Sequence, residues 1–223
     1  MYDDQKDIEL QSPKNKITNY FEVLEIEEDK LKTIEILRRH FYSIKVDHNI
    51  EIMKKKTLKD AHIYCIENNI SSQIYGPLLE RYIREKYGYL KNKISDCNGD
   101  MYKNGKNIEI KTSLGGKEHN KFNFVQIRPF HKCDYYILTC YHLCADNIDQ
   151  LGQLYIFYLT ESNMVEILLK HGQYAHGTMN QHGPITIENL LNKEKLMEYS
   201  LRPKFGDSCW NDLLKYRTSE NQL

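Results

Sequence analysis

Asn104-Gly105 separates two short runs, Gly99–Lys103 and Lys106–Lys111, in which side chains of different character alternate. Asn-Gly readily adopts the two left-handed backbone positions of a type I′ turn, so it closes a two-residue β-hairpin and allows little else. The turn sets the register. Lys103 faces Lys106, Tyr102 faces Asn107, Met101 faces Ile108, and Asp100 faces Glu109. The pair beside the turn is hydrogen-bonded and the pairs alternate outward. Asp100 and Glu109 then form a non-hydrogen-bonded pair with Cβ atoms about 5 Å apart. Alternation places Lys111 on the face of Glu109, while Met101, Ile108 and Ile110 offer an apolar face to a core. Facing carboxylates repel unless they stand in water, share a proton or hold a cation between them. Oxygen donors at this spacing suit a hard ion, Mg²⁺ or Mn²⁺. The plain alternative is a solvated hairpin tip with scattered charges, which Lys103, Asn104 and Lys106 fit well.

The chain around this hairpin has 223 residues, with 31 Lys+Arg and 31 Asp+Glu. Against a typical domain of roughly 150 residues, that length suits one large domain with an arm. Such a chain buries on the order of 70% of its unfolded surface and needs no disulfide or structural metal to fold. With 40% hydrophobic and 28% charged residues it is not a disordered chain. No apolar run approaches the roughly 20 residues of a membrane span. The opening MYDDQKDIEL lacks the basic and apolar regions of a signal peptide. Balanced charge carries no overall nucleic-acid signature. The six cysteines form no CxxC pair and read as reduced thiols packed in a cytoplasmic protein. Cys133, Cys140 and Cys144 with His131 and His142 match no common zinc spacing, and strand alternation would scatter them over both faces.

Residues 1–16 are polar, include Pro13, and read as an N-terminal arm. Residues 17–223 read as one domain: a helical part over 17–70, a core over 71–160, and a C-terminal part over 161–223. Apolar residues recur at helical spacing from Ile17 to Ile44, and further helices are predicted over 57–69 and 72–87, the latter stopped by Gly88. Then the period falls to two. Strands are predicted over 100–103, 106–111, Phe122–Ile127, Asp134–Tyr141 and Gln153–Thr160. Helices follow over 161–170 and 187–199, with a Gly/His-rich loop between them and a tail in which Trp210, Leu213 and Leu214 dock onto the core. Helices, a block of strands, then helices describe an α/β fold with α+β-like order around one central mixed sheet.

Asp100, with Glu109-Ile110-Lys111 following it, resembles the PD-(D/E)xK nuclease motif, and the run GDMYKNGKNIEIKTSLGG resembles the corresponding segment of type II restriction endonucleases. The motif covers about a dozen residues; a looser likeness to the αβββαβ core spans Ser72 to Thr160. Gly99 stands where the family usually has proline. The resemblance implies a sequence-specific double-stranded DNA endonuclease that uses Mg²⁺, with Mn²⁺ as a substitute, and leaves a 5′-phosphate and a 3′-hydroxyl. It implies that Asp100, Glu109 and the Ile110 carbonyl hold the metal and that Lys111 stabilises the transition state. By the same analogy Glu80, in GPLLERYIREKYG, joins the site; its alternative is a surface pair with Arg84.

A polyanionic partner requires local contacts when the net charge is zero. Ser113, Lys117, Asn120 and Lys121 follow the catalytic strand among small residues that allow close approach to a backbone. Gln126 and Arg128 lie beside a strand, as DNA contacts or as its polar face. In the loop HGQYAHGTMNQHGP, Asn180 and Gln181 suit adenine, and His176, Thr178 and His182 offer further polar groups. Cutting both strands of a symmetric site calls for a homodimer, for which the helices over 17–44 are a candidate surface. No nucleotide cofactor or membrane is expected. The competing functions are a repair or junction-resolving nuclease of the same fold, and a non-catalytic DNA-binding regulatory protein.

Overall fold

In the computed structural model the chain divides into two units, residues 1–48 and 49–223. The structure describes residues 36, 46–93, 98–115, 120–175, 183–192 and 196–223. The expected N-terminal arm and most of the expected N-terminal helices lie outside the described residues. In the second unit, Thr57 starts helix α1 (Leu58–Glu67) by accepting the Asp60 N–H on its side chain. Helix α2 (Ser72–Lys86) begins after Ser71 and ends where Gly88 turns left-handed at φ +71°. Leu78, Leu79, Tyr82 and Ile83 form its buried stripe. Among the described residues no helix is long and apolar enough to cross a membrane.

The strands that follow are β1 (Leu90–Lys91), β2 (Met101–Lys103), β3 (Lys106–Ser113), β4 (Phe124–Ile127), β5 (Tyr135–His142) and β6 (Gln153–Thr160). Helix α3 (Glu161–His171), β7 (Gln173–Tyr174), α4 (Ile187–Leu191), β8 (Tyr199–Leu201), α5 (Ser208–Leu214) and β9 (Arg217–Thr218) complete the order. Six strands form a mixed sheet in the order β1-β2-β3-β5-β6-β9, in which only β3 and β5 run parallel. The sheet carries helices on both faces. Toward α1 and α2 it buries Met101, Ile108, Ile110 and Ile137, and Thr139 meets the ring of His62 there, Oγ1 to Nε2 at 3.1 Å. Toward α3 and α5 it buries Tyr136, Leu138, Cys140, Phe157 and Leu159 against Met164, Leu168, Trp210 and Leu213.

Three expectations change. The strands do not all join one sheet: β4 pairs with β8, and β8 with β7, in a separate three-stranded antiparallel sheet. The predicted helix over 187–199 stops at Leu191, and Tyr199–Leu201 is the buried central strand of that small sheet. Here a strand partner on each side outweighs the helical spacing of the apolar residues. Leu214, expected in the core, is 37% exposed, whereas Trp210 and Leu213 are buried.

Candidate metal centre at the β2–β3 hairpin

Asn104 and Gly105 both take positive φ, +52° and +79°, as a type I′ turn requires. The ladder has the register that this turn dictates: Lys103 with Lys106, Tyr102 with Asn107, and Met101 with Ile108. Asp100 departs from it. Its N–H donates to the Ile108 carbonyl at 3.0 Å, so it is not paired across the ladder with Glu109. Its side chain curls onto β3, where Oδ2 accepts the Ile110 N–H at 2.8 Å. The N–H and C=O of one strand residue face the same neighbour. The Ile110 carbonyl therefore also looks to the β2 side, past Met101, the last paired residue.

Asn104, Gly105 and Lys106 do form an exposed tip, but the end of the hairpin that carries the acids is withdrawn from water, because β3 has β5 on its other edge. Asp134 begins that pairing: its N–H donates to the Asn107 carbonyl and its Oδ2 accepts the Asn107 N–H. Glu109 is consequently only 1% exposed and the Lys111 side chain 12%, with Asp100 at 32%. The Lys111 ammonium lies 2.6 Å from Glu109 Oε1 and 3.6 Å from Asp100 Oδ2. Burial opposes its charge, but Glu109, Asp100 and Glu80 together hold it protonated, with a raised pKa. Burial would also raise the Glu109 carboxyl, yet Lys111 and then His131 keep it below the usual range. Asp100 is raised, by burial and by Glu109, against the pull of Lys111.

Glu80 on α2 belongs to the same electrostatic cluster. Burial first, then the Asp100 and Glu109 carboxylates, push it up to about 7, with Lys111 and Arg84 acting the other way. Three carboxylates thus share one ammonium. Such an excess of negative charge, fully buried at Glu109 and partly withdrawn from water at Glu80 and Asp100, is relieved by protonation or by a cation, and the donors are hard oxygens. The residues fit a Mg²⁺ or Mn²⁺ ion. Because folded Glu80 holds its proton more tightly than the unfolded chain does, its contribution to stability is complete below about 4.5 and is lost as pH rises through about 7. In EDTA, the thermal midpoint is expected to fall over that window, and Glu80→Gln to flatten the fall. A slope unchanged in the variant would contradict this placement.

Gly99 is fixed by two constraints. Its φ is +75°, and a Cβ there would stand 2.8 Å from the Ile108 carbonyl oxygen and 2.9 Å from Cys133 Sγ. Proline, locked near about −65°, cannot take this conformation; that is the physical reason glycine precedes Asp100. Gly99→Ala is expected to cost roughly 1–3 kcal/mol from overpacking, with strain in addition, read from urea unfolding. A neutral result would mean that the backbone relaxes there freely.

The other expected residues are dispersed. Ser113 is buried, its Oγ accepting the Asn123 N–H at 3.0 Å. Its hydroxyl thus fastens the segment leading into β4. The Asn120 carbonyl accepts the Phe205 N–H, and Lys121 forms an isolated bridge with Lys204. Gln126 is exposed, at φ +56°, where the β4–β8 register shifts. Arg128 pairs with Glu198, Nε to Oε1 at 2.8 Å. Lys117, His176, Thr178, Asn180, Gln181 and His182 lie outside the described residues. The structure also brings two side chains to Glu109 that the spacing rules had set aside. His131 Nδ1 is 3.5 Å and Cys133 Sγ 3.9 Å from Glu109 Oε2. The only trace in the sequence is the His-x-Cys step just before β5, uninformative until β5 is known to lie beside β3.

No protein-family model, curated protein or solved structure matches this chain.

Proposed function

We propose that this chain is a Mg²⁺-dependent double-stranded DNA endonuclease of the PD-(D/E)xK type, acting as a type II restriction enzyme. The observation that carries the reading is the gathering of Glu80, Asp100 and Glu109 around the buried Lys111 ammonium at the end of a tight hairpin. The mixed sheet with α2 packed on it suits the αβββαβ core of that class. Asp100, Glu109 and the Ile110 carbonyl would hold the metal, with Glu80 beside them. A Mg²⁺ ion held there would supply Lewis acidity toward a phosphoryl oxygen and the attacking water. Lys111 is held protonated and therefore acts as a fixed positive charge, placed where negative charge grows on the phosphoryl group. The products are a 5′-phosphate and a 3′-hydroxyl.

DNA is the proposed partner, approached through Asn120, Lys121 and Gln126 and, from the sequence reading, through Asn180 and Gln181. Ser113, committed to the fold, and Arg128, committed to Glu198, are weaker contacts. The five described free cysteines suit a reducing cytoplasm. A homodimer supplies two active sites for a two-strand cut; a monomeric mass by light scattering, with and without DNA, would count against it. The function is tested by incubating the purified chain with plasmid and Mg²⁺. Discrete fragments, abolished by EDTA, are the expected result. Cleavage of branched junctions without sequence preference would move the protein to the repair class. No cleavage of any DNA with Mg²⁺ or Mn²⁺ would overturn the reading.

A further inference from the structure

We infer that Glu109, His131 and Cys133 form a site for a thiophilic divalent ion of the Zn²⁺ class, which shares Glu109 with the Asp100–Glu109 carboxylate pair but differs from it in donor chemistry. The three donor atoms lie within 4.8 Å of one another. Two separations are instructive. At 3.5 Å, His131 Nδ1 and Glu109 Oε2 are farther apart than the about 2.7–3.2 Å of a direct hydrogen bond. Cys133 Sγ stands 3.9 Å from the same oxygen. A tetrahedral ion with bonds of about 2.0–2.3 Å sets its ligands roughly 3.3–3.7 Å apart. The His131–Glu109 separation matches such an edge, while the Cys133 thiol, which hydrogen-bonds to Glu109 Oε2 at 3.9 Å, has to close in by a few tenths of an ångström to join the ion.

The donor set also selects the ion. Thiolate, imidazole and a single carboxylate favour Zn²⁺ and its transition-metal neighbours over Mg²⁺. Three protein ligands leave a fourth position for water or for an exchangeable group. Local structure holds the donors in place. The Cys133 N–H donates to the His131 carbonyl at 3.0 Å, and the His131 ring stands edge-on to Phe130 at 4.8 Å between centroids. Gly99, which has no Cβ, leaves room for the thiol. Cys133 also borders a cleft of about 500 Å³, together with Asn107, Lys132, Asp134 and Glu161. On binding, the Cys133 thiol gives its proton to solvent and the thiolate joins the ion.

Glu109 links this site to the proposed nuclease centre, because Oε1 faces Lys111 while Oε2 faces His131 and Cys133. On the nuclease reading, Zn²⁺ bound here withdraws Glu109 from the Mg²⁺ site and depresses Mg²⁺-supported cleavage. The test itself does not need activity. Co²⁺ is titrated into the purified full chain, and absorption is followed for a thiolate-to-cobalt charge-transfer band. The band is expected to saturate at one equivalent and to be displaced by Zn²⁺. Cys133→Ser should abolish it, Asp100→Asn should keep it, and His131→Ala should weaken Co²⁺ binding by at least the roughly 10–100-fold that even outer-shell losses cost. If the serine variant melts early by circular dichroism, Cys133→Ala, which keeps a small apolar volume, gives the same reading. No band, or a band undiminished without the Cys133 thiol, overturns the site. A band in a protein that cuts no DNA leaves the site standing and sinks only the nuclease reading.

Discussion

Lys111→Met is expected to lower plasmid cleavage at saturating Mg²⁺ by at least about 10²–10³-fold, the scale on which removing one preorganised charge-stabilising donor acts. Methionine keeps the length and fills the buried volume, so the loss isolates the ammonium. The loss should fall on kcat. DNA affinity measured in Ca²⁺ should change little, because the charge is needed mainly where the transition state gains negative charge. A second effect follows from the same contacts. Lys111 is the ammonium that Glu109 at 2.6 Å and Asp100 at 3.6 Å both require. Removing one partner of a buried ion pair commonly costs about 3–5 kcal/mol. Here the cost should depend on pH, because Glu80 and Asp100 already hold protons more tightly than usual. The variant should therefore lose less stability at pH 5 than at pH 8 in EDTA, by urea unfolding. Retention of full cleavage by Lys111→Met would remove the site assignment altogether.

What could be seen in the sequence was local. Asn104-Gly105 fixes the hairpin register because the turn admits one backbone geometry, and strand β6 covers the Tyr-, Phe- and Ile-rich run Gln153–Thr160 from end to end. The carboxylates and the lysine were visible for that reason, although Asp100 reaches β3 through the Ile110 N–H rather than as the cross-strand partner of Glu109. What could not be seen was long-range. The burial of Glu109 depends on β5 lying parallel to β3, after an intervening segment that contributes β4 to another sheet. No turn chemistry specifies such a crossover pairing. The arrival of His131 and Cys133 at Glu109 is hidden for the same reason. Likewise, the three-residue strand β8 is defined by its neighbours β4 and β7, so periodicity in its own residues carries no signal. Glu80 falls between these cases. Its helix was legible from spacing, but its position near Asp100 and Lys111 rested on resemblance until the electrostatics of the cluster were in view.

A loss of stability as large is expected from Trp210→Ala, outside the carboxylate cluster. Helix α5 has only seven residues, too few to persist alone in water. Asp207 caps it by accepting the Trp210 N–H at 2.7 Å, but packing holds it. The Trp210 ring is 2% exposed, stacks on Phe122 at 5.1 Å and meets Phe157 edge-on at 5.6 Å. Tyr155 and Phe205 lie 4.7 and 5.0 Å away between centroids. Truncation of a buried aromatic costs about 3–5 kcal/mol, a large share of the about 5–15 kcal/mol that holds a domain folded. Urea unfolding should show a markedly lower midpoint, Trp210→Phe should recover part of it, and the more exposed Leu214→Ala should stay within about 0.5 kcal/mol of the parent. The effect should extend to the site, because the same tail anchors the chain that leaves β3. Phe122 donates its N–H to the Pro203 carbonyl and Phe205 donates to that of Asn120. Loosening Trp210 therefore frees residues 120–122, part of the proposed DNA face. A loss within about 0.5 kcal/mol would be the size seen for ordinary surface changes, and would show that the tail rests on the core without being part of it.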